Sequence, residues 1–355
     1  MSKNEKIILG ISIGDLNGIG SEVILRTFED SRMLEFCTPV IFSNVKLMSF
    51  YKKEFEMDLS FQGIDHLKDV VHKKINVLNV WKEPVEVHFG KEEPLAGEYA
   101  IKSLKAAVEA LKKDEIDVLV TAPINKSNVQ SKTFNFPGHT DYLAKELQGD
   151  SLMLMLSEEL KVGLLTDHVP VKDVPSKITR ELIEKKINTI HKTLVQDFEI
   201  IRPKIAVLGI NPHTGDNGVI GDEDDTVLRP ALDTIRSNGK LVYGPYSADS
   251  FFGSENYKNF DAVIASYHDQ GLIPFKTLAF GQGVNYTAGL GKIRTSPDHG
   301  TAYEVAGKNK ASEASFKEAV FAALNIFRNR STYLEYAQNP LAVSHRKGGF
   351  KKNSQ

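Results

Sequence analysis

Short runs of Val, Ile and Leu recur along this chain, each followed by a longer amphipathic segment, and that alternation leaves few folds open. A strand buried on both faces reads as a continuous apolar run, because neither row of its side chains meets water. Six such runs stand out, at residues 7–13, 40–42, 117–121, 161–166, 204–210 and 261–266. The segments between them carry helical periodicity. Residues 97–113 place Ile101, Leu104, Val108 and Leu111 on one face, with Lys102, Lys105, Glu109 and Lys112 on the other. Residues 178–195 repeat the pattern through Leu182, Ile183, Ile187, Ile190 and Leu194. Ser315-Phe316-Lys317-Glu318 reads as a capping box that opens a helix running to about Phe327. Parallel strands joined by helices give an α/β fold. With 355 residues the chain is too long for one ordinary core, so two lobes are expected. No Pro/Gly/Ser-rich linker separates them, so the chain is expected to cross between lobes more than once.

Composition excludes several classes of partner. Forty-four basic residues against 46 acidic ones leave no global field for nucleic acid or an anionic membrane. No apolar stretch approaches the ~18 residues of a membrane span. Residues 7–13 form too short a run for a secretory signal; they end in Gly14-Asp15 with no small-residue cleavage site, and read as a first strand. The lone Cys37 reads as a buried thiol in a reducing, cytoplasmic compartment. The basic end of the chain, residues 341–355, reads as a flexible tail.

Familiar catalytic signatures are missing. There is no G-x-G-x-x-G after a strand, no Walker A sequence and no H-E-x-x-H. Gly10-Ile11-Ser12-Ile13-Gly14 has the letters of a nucleophile elbow, but Ser12 lies inside an apolar run and the turn comes later, between Asp15 and Gly20.

The informative pattern is positional. His168, His213 and His268 each stand two or three residues beyond an apolar run, in Asp167-His168, Asn211-Pro212-His213 and Tyr267-His268. In a parallel sheet the carboxyl ends of the strands share one edge, and ligands bind outside it. Three imidazoles on that edge suit Zn²⁺, Co²⁺ or a similar divalent ion and leave positions open for substrate. Asp167 and Asp269 are placed either to orient them or to cap a helix. A lone loop histidine is usually a surface residue; three at one topological position point to a metal.

Three further segments have functional character. Thr121-Ala122-Pro123-Ile124-Asn125-Lys126 follows a strand, with Phe136-Pro137-Gly138-His139-Thr140-Asp141 close behind; these can bind phosphate or carboxylate oxygens, or serve as turn and helix cap. The Gly-rich stretch from His268 through Lys276, Asn285 and Arg294 combines close backbone approach with positive charge. Thr295-Ser296-Pro297-Asp298-His299-Gly300-Thr301 is a turn-rich loop able to embrace a nucleotide without a Rossmann turn.

Taken in order, these blocks resemble the 4-hydroxythreonine-4-phosphate dehydrogenase family of pyridoxal phosphate biosynthesis. The resemblance runs from Gly14-Asp15-Leu16-Asn17-Gly18-Ile19-Gly20 to about Phe327 and includes Asn211-Pro212-His213-Thr214-Gly215 and Tyr267-His268-Asp269-Gln270-Gly271. It implies an isocitrate/isopropylmalate-dehydrogenase-like fold, with two α/β/α lobes and a cleft between them. The lobes implied are residues 1–130 plus 275–340, carrying the cofactor loop, and residues 131–274, carrying the metal histidines and the dimer interface. It also implies a homodimer with its active site at the subunit interface. Metal ligands fall at His168, His213 and His268, for Zn²⁺ or alternatively Mg²⁺ or Co²⁺. Substrate contacts fall at His139, Thr140, Lys276, Asn285 and Arg294. Ser296, Pro297 and Asp298 resemble the NAD or NADP loop of the wider superfamily. Two departures occur: Leu16-Asn17 where the family usually has Pro-Ala, and Asp141 where it often has Glu.

The implied reaction is NAD(P)-dependent oxidation of 4-phosphohydroxy-L-threonine, followed by decarboxylation of the 3-oxo acid. Lys276 has a catalytic as well as a binding place in it, and Asp249 is the candidate proton acceptor. Rival readings are a dehydrogenase of 4-phosphothreonate or 4-phosphoerythronate, a metal-dependent hydrolase, and a phosphate acyltransferase.

Overall fold

The computed structural model describes residues 6–131, 134–136, 138–147, 149–279 and 281–338; the tail at 341–355 lies outside them. Twelve strands are described. In chain order they are β1 Ile7–Ser12, β2 Cys37–Ser43, β3 Phe61–Ile64, β4 Ile75–Asn79, β5 Val118–Thr121 and β6 Gly149–Leu156. There follow β7 Lys161–Leu164, β8 Lys204–Leu208, β9 Leu241–Tyr246, β10 Ala262–Ala265, β11 Val284–Leu290 and β12 Ile293–Pro297. They make one sheet in the order β3-β4-β2-β1-β5-β12-β11-β6-β7-β10-β8-β9.

Each expected apolar run contains a strand, and the alternating helices are present, so the chain is α/β as its patterning requires. The first six strands of that order are mutually parallel, as are β7, β10, β8 and β9. The two parallel halves are joined through antiparallel pairings of β11 with β12, β11 with β6, and β6 with β7. Because β11 and β12 come late in the chain and sit between β5 and β6, the polypeptide crosses the middle twice.

The two faces of the sheet differ. On one, alternate residues of every central strand feed a single core, including Leu9, Val118, Leu154, Tyr286, Ile293 and Ile264. Helices Arg180–Phe198 and Ala314–Ala337 lie over this face, contributing Ile187, Ile190, Phe316 and Leu324. On the other face the core is split. One part gathers Phe42, Leu104, Leu119, Phe134 and Leu143; the other gathers Met153, Met155, Val162, Leu208 and Phe275. Between them the strands turn polar residues to the same side. A strand's side chains alternate, so Thr121, Asn285, Thr287 and Arg294 point opposite to Val120, Tyr286 and Ile293. A cleft with a polar floor results.

One local expectation fails. Ser315 does not cap a helix; the helix starts at Ala314, with no side-chain cap bond at Glu313, and runs to Ala337, beyond Phe327. The Ser315 hydroxyl instead donates to Gly283 O (2.7 Å) and accepts from Asp298 N–H (3.1 Å). It ties the loop after β12 to the start of β11, a tertiary use that the local spacing cannot reveal.

Candidate active site

The strand ends that carry the three histidines are neighbours, as their positions require: β7 and β8 both pair in parallel with β10. Side chains staple these ends together. Thr166 Oγ1 donates to Ser266 O at 2.7 Å, and Ser266 Oγ donates to Leu208 O at 3.2 Å. Gln270 accepts from Ser266 N–H and donates to Gly209 O, both at 2.7 Å, fixing the first turn of helix His268–Leu278 against β8.

His168 and His268 face each other, with ring centroids 6.1 Å apart. Asp269 Oδ1 lies 2.7 Å from His268 Nδ1 and orients that ring. Asp167 turns to the backbone instead of a ring: its carboxylate accepts from the His168 N–H at 2.8 Å. His213 occupies the turn Pro212–Gly215 in left-handed backbone (φ 51°). That turn is braced by Asp224, which accepts from Ile210 and Asn211 N–H. Held there, His213 is exposed and does not join the other two. Among the described residues no group of three or more His, Cys, Asp or Glu is arranged to hold a metal. Asp249 keeps company with His213 outside the cavity. Hydrogen bonds from Ser247 and Ser250, then the charge of His213, hold its carboxyl below the usual range.

His168 and His268 border a cavity of about 310 Å³, the cleft between the split cores. His139, Thr140, Lys276, Asn285, Arg294, Ser296, Pro297 and Asp298 border the same cavity, so the sequence-predicted substrate and cofactor residues are brought together here. Register sets part of this: Asn285 of β11 stands opposite Ser296 of β12 and Met155 of β6. Lys276, in the last turn of its helix, donates to Asp298 O at 3.1 Å and so joins helix to loop.

Arg294 is the electrostatic centre. It is 1% exposed, and its guanidinium bonds only hydroxyls: Nε to Thr121 Oγ1 (3.0 Å) and Nη1 to Thr287 Oγ1 (3.2 Å), with Nη2 also on Thr121. No carboxylate partners it among the described residues. Burial without a counter-ion pushes its pKa down. Burial, then the charges of Arg294 and Lys126, holds His139 well below its ordinary value, so the ring is neutral near pH 7. Asp298 is raised, chiefly by burial. Four polar atoms at this site are buried without a partner: His139 Nε2, Asp141 Oδ2, Asn285 Oδ1 and His299 Nε2. A buried polar group left unsatisfied costs about 1–3 kcal/mol, so such a cluster, with acceptor oxygens among its atoms, is shaped for a polar ligand that brings donors of its own.

Sequence reasoning missed Met153 and Met155, which give the cavity its apolar side, and the partnership of Thr121 with Arg294. Alternation along β5 would have placed Thr121 on the face opposite Val120, but only the pairing of β5 with β12 puts Arg294 beside it.

Known proteins share this architecture. A 4-hydroxythreonine-4-phosphate dehydrogenase of Bacteroides thetaiotaomicron is 46% identical, with 96% of this chain and 94% of that one covered. A D-threonate 4-phosphate dehydrogenase of Cupriavidus necator is 36% identical, with 88% and 95% covered. The crystal structure of 4-hydroxythreonine-4-phosphate dehydrogenase from Klebsiella pneumoniae superposes with a TM-score of 0.78 at 32% identity, covering 92% of this chain and 99% of that one. The family model described as pyridoxal phosphate biosynthetic protein PdxA matches residues 35–323. A match of that length, with relatives alike over nearly the whole chain, places this protein in the PdxA family.

Proposed function

We propose that this chain oxidises 4-phosphohydroxy-L-threonine at C3, with NAD or NADP, to 2-amino-3-oxo-4-(phosphohydroxy)butanoate. Loss of CO₂ from that 3-oxo acid yields 3-amino-2-oxopropyl phosphate, a precursor for pyridoxine 5′-phosphate. The observation that carries the reading is Arg294, a buried guanidinium without a carboxylate at the floor of the cleft. Its unmet charge calls for an anion, and its planar fork suits phosphate or carboxylate. Lys276 supplies a second cation on the same wall, and neutral His139 with Thr140 supplies hydrogen-bonding groups. Asn285 Oδ1 remains free to accept from a substrate hydroxyl. Ser296, Pro297 and Asp298, tied to Ser315, form the side of the cavity on which the nicotinamide would lie.

A bound nicotinamide would supply the hydride acceptor, and a divalent ion would supply the charge that lowers the pKa of the substrate hydroxyl. The donor chemistry fits such an ion in kind, since imidazole suits Zn²⁺ and Co²⁺. One chain gathers only His168 and His268. His213 would complete the set in a homodimer, bringing Asp249 with it as the proton acceptor. The surface around these histidines supports a second copy: Val171, Ile220 and Ile273, each a few residues beyond one of them, are exposed. The same reading divides the chain into lobes 1–130 plus 275–340 and 131–274. No described helix is long and apolar enough to cross a membrane.

The test is to incubate purified protein with NAD⁺ or NADP⁺, Zn²⁺ and 4-phosphohydroxy-L-threonine, and to follow the reduced cofactor. Metal-dependent reduction is expected. Turnover of D-threonate 4-phosphate alone would keep the dehydrogenase and move its substrate, as the Cupriavidus relative's name allows. No reduction with either would refute the reading.

A further inference from the structure

We propose, resting on the dehydrogenase reading, that Asp15 is a positioning residue: it sets the substrate wall of the cleft against the cofactor wall, and with them the alignment for hydride transfer. The turn of residues 14–20 after β1 contributes no side chain to the cavity, yet every residue in it is buried. Its backbone touches both walls. Asp15 N–H donates to Pro123 O at 2.8 Å, and Ile19 N–H donates to Thr301 O at 3.0 Å. Residues 121–124, where Thr121 holds Arg294, line one side of the cavity, and residues 296–300 line another. The approach is too close for side chains. A Cβ at Gly14 (φ 71°) would stand 2.2 Å from Pro123 O, and one at Gly18 would stand 2.9 Å from Thr301 O.

The side chain of Asp15, 1% exposed, completes this bridge. Its Oδ1 accepts from Asn17 N–H at 2.9 Å, and its Oδ2 accepts from Asn128 Nδ2 at 3.3 Å. The Tyr303 hydroxyl donates to the same carboxylate and accepts from Asn128 Nδ2 at 3.1 Å. Asn128 lies just past the substrate wall and Tyr303 just past the cofactor loop, so one carboxylate joins the turn to both. An acid shortly before a helix has a bland use as its N-cap. Asp15 is not spent that way, since helix Gly20–Glu29 opens at Ile19 without a side-chain cap bond. Its three neighbours all present donors, and an ionised carboxylate only accepts. Asp15, Asn128 and Tyr303 do not border the cavity, so their effect on a reaction passes through the two walls.

The experiment measures Asp15→Asn as the complete enzyme with cofactor and metal, on 4-phosphohydroxy-L-threonine carrying hydrogen or deuterium at C3. The substitution keeps the shape of the side chain and turns an NH₂ group towards other donors. A misplacement of about 1 Å is expected to lower kcat by about two orders of magnitude. The substrate KM, and the cofactor Kd from titration calorimetry, should each stay within about threefold, since no group that binds either is removed. The deuterium isotope effect on kcat should be at least that of wild type, because the slowed step is C–H cleavage. Lower stability with kcat per folded molecule unchanged would overturn the proposal. So would weaker binding with kcat retained, or an isotope effect below that of wild type. In each of these cases active wild type leaves the dehydrogenase reading standing. Wild type without turnover would refute that reading, and this inference with it. If Asp15→Asn does not fold, Tyr303→Phe decides: it removes one arm of the bridge and should show the same pattern with kcat about tenfold lower. A wild-type kcat in that variant would overturn the proposal.

Discussion

Two arginines flank the central strands, one on each face of the sheet, and they are built for different purposes. Arg330, on helix Ala314–Ala337, holds Asp197 with Nε and Nη2 at 2.7 and 2.9 Å, and Nη2 also reaches Tyr286 Oη at 2.7 Å. Tyr286 Oη lies 2.7 Å from Asp197 Oδ2, closing a knot of three side chains from β11 and the two covering helices. Burial opposes the charge of Arg330, but Asp197 and Tyr286 outweigh it and raise its pKa. Arg294, on the cleft face, has two threonine hydroxyls instead, and its pKa falls. A paired arginine fastens elements together, while an unpaired one waits for a ligand. One strand, β11, serves both: Tyr286 points into the knot, and its neighbours Asn285 and Thr287 face the cleft.

The comparison is most easily broken on the structural face. Asp197→Ala leaves Arg330 without its ion partner and should cost about 3–5 kcal/mol in urea unfolding. Turnover per folded molecule should survive, since Asp197 does not border the cleft. Loss of turnover without loss of stability would reverse the roles assigned to the two faces.

Deleting one hydroxyl from each arginine sharpens the contrast. Thr121→Val strips Arg294 of the acceptor of two N–H groups and should destabilise by about 1.5–3 kcal/mol while raising the substrate KM. Tyr286→Phe leaves Arg330 with Asp197 and should cost only about 0.5–1.5 kcal/mol. The two are compared by chemical denaturation; equal costs would mean that the ion pair gives Arg330 no extra security.

The smallest effect concerns pH. Burial, Arg294 and Lys126 hold His139 neutral when folded, whereas an unfolded histidine gains a proton below about pH 6.5. The unfolded state therefore binds more protons there, and stability falls as pH drops below that value. His139→Gln removes this contribution, so its stability should decline less than that of wild type between about pH 7 and 5. An unchanged slope would place the protonation elsewhere.

What the sequence discloses follows the same division. β1, β2, β5, β7, β8 and β10 are legible because most of their length is apolar and buried on both faces, the lysines that open β7 and β8 aside. β11 and β12 are not: Val-Asn-Tyr-Thr-Ala-Gly-Leu and Ile-Arg-Thr-Ser-Pro look like loop, since Tyr286, Arg294 and Thr295 find their partners far away in sequence, at Asp197, Thr121 and Ala319. The antiparallel centre therefore escapes a reading based on apolar runs, although it forms the floor of the site. The histidines show both outcomes. Strand-end placement correctly sets them on three adjacent parallel strands, but it cannot foresee that the left-handed turn at His213 holds that ring apart from His168 and His268. Lys276, Asn285 and Arg294 do converge, because each is fixed by a rigid element around the cleft.

Arg294→Met tests the central claim most directly, with urea unfolding and cofactor reduction measured on the same preparation. Replacing an unpaired buried charge by an apolar side chain of similar length should leave the unfolding midpoint at or above that of wild type. Turnover of 4-phosphohydroxy-L-threonine should fall by about three orders of magnitude or more, the loss expected when an anion's buried partner is removed. A midpoint lowered as far as that of Asp197→Ala, with turnover retained, would show that Arg294 is a second structural knot and would contradict the account.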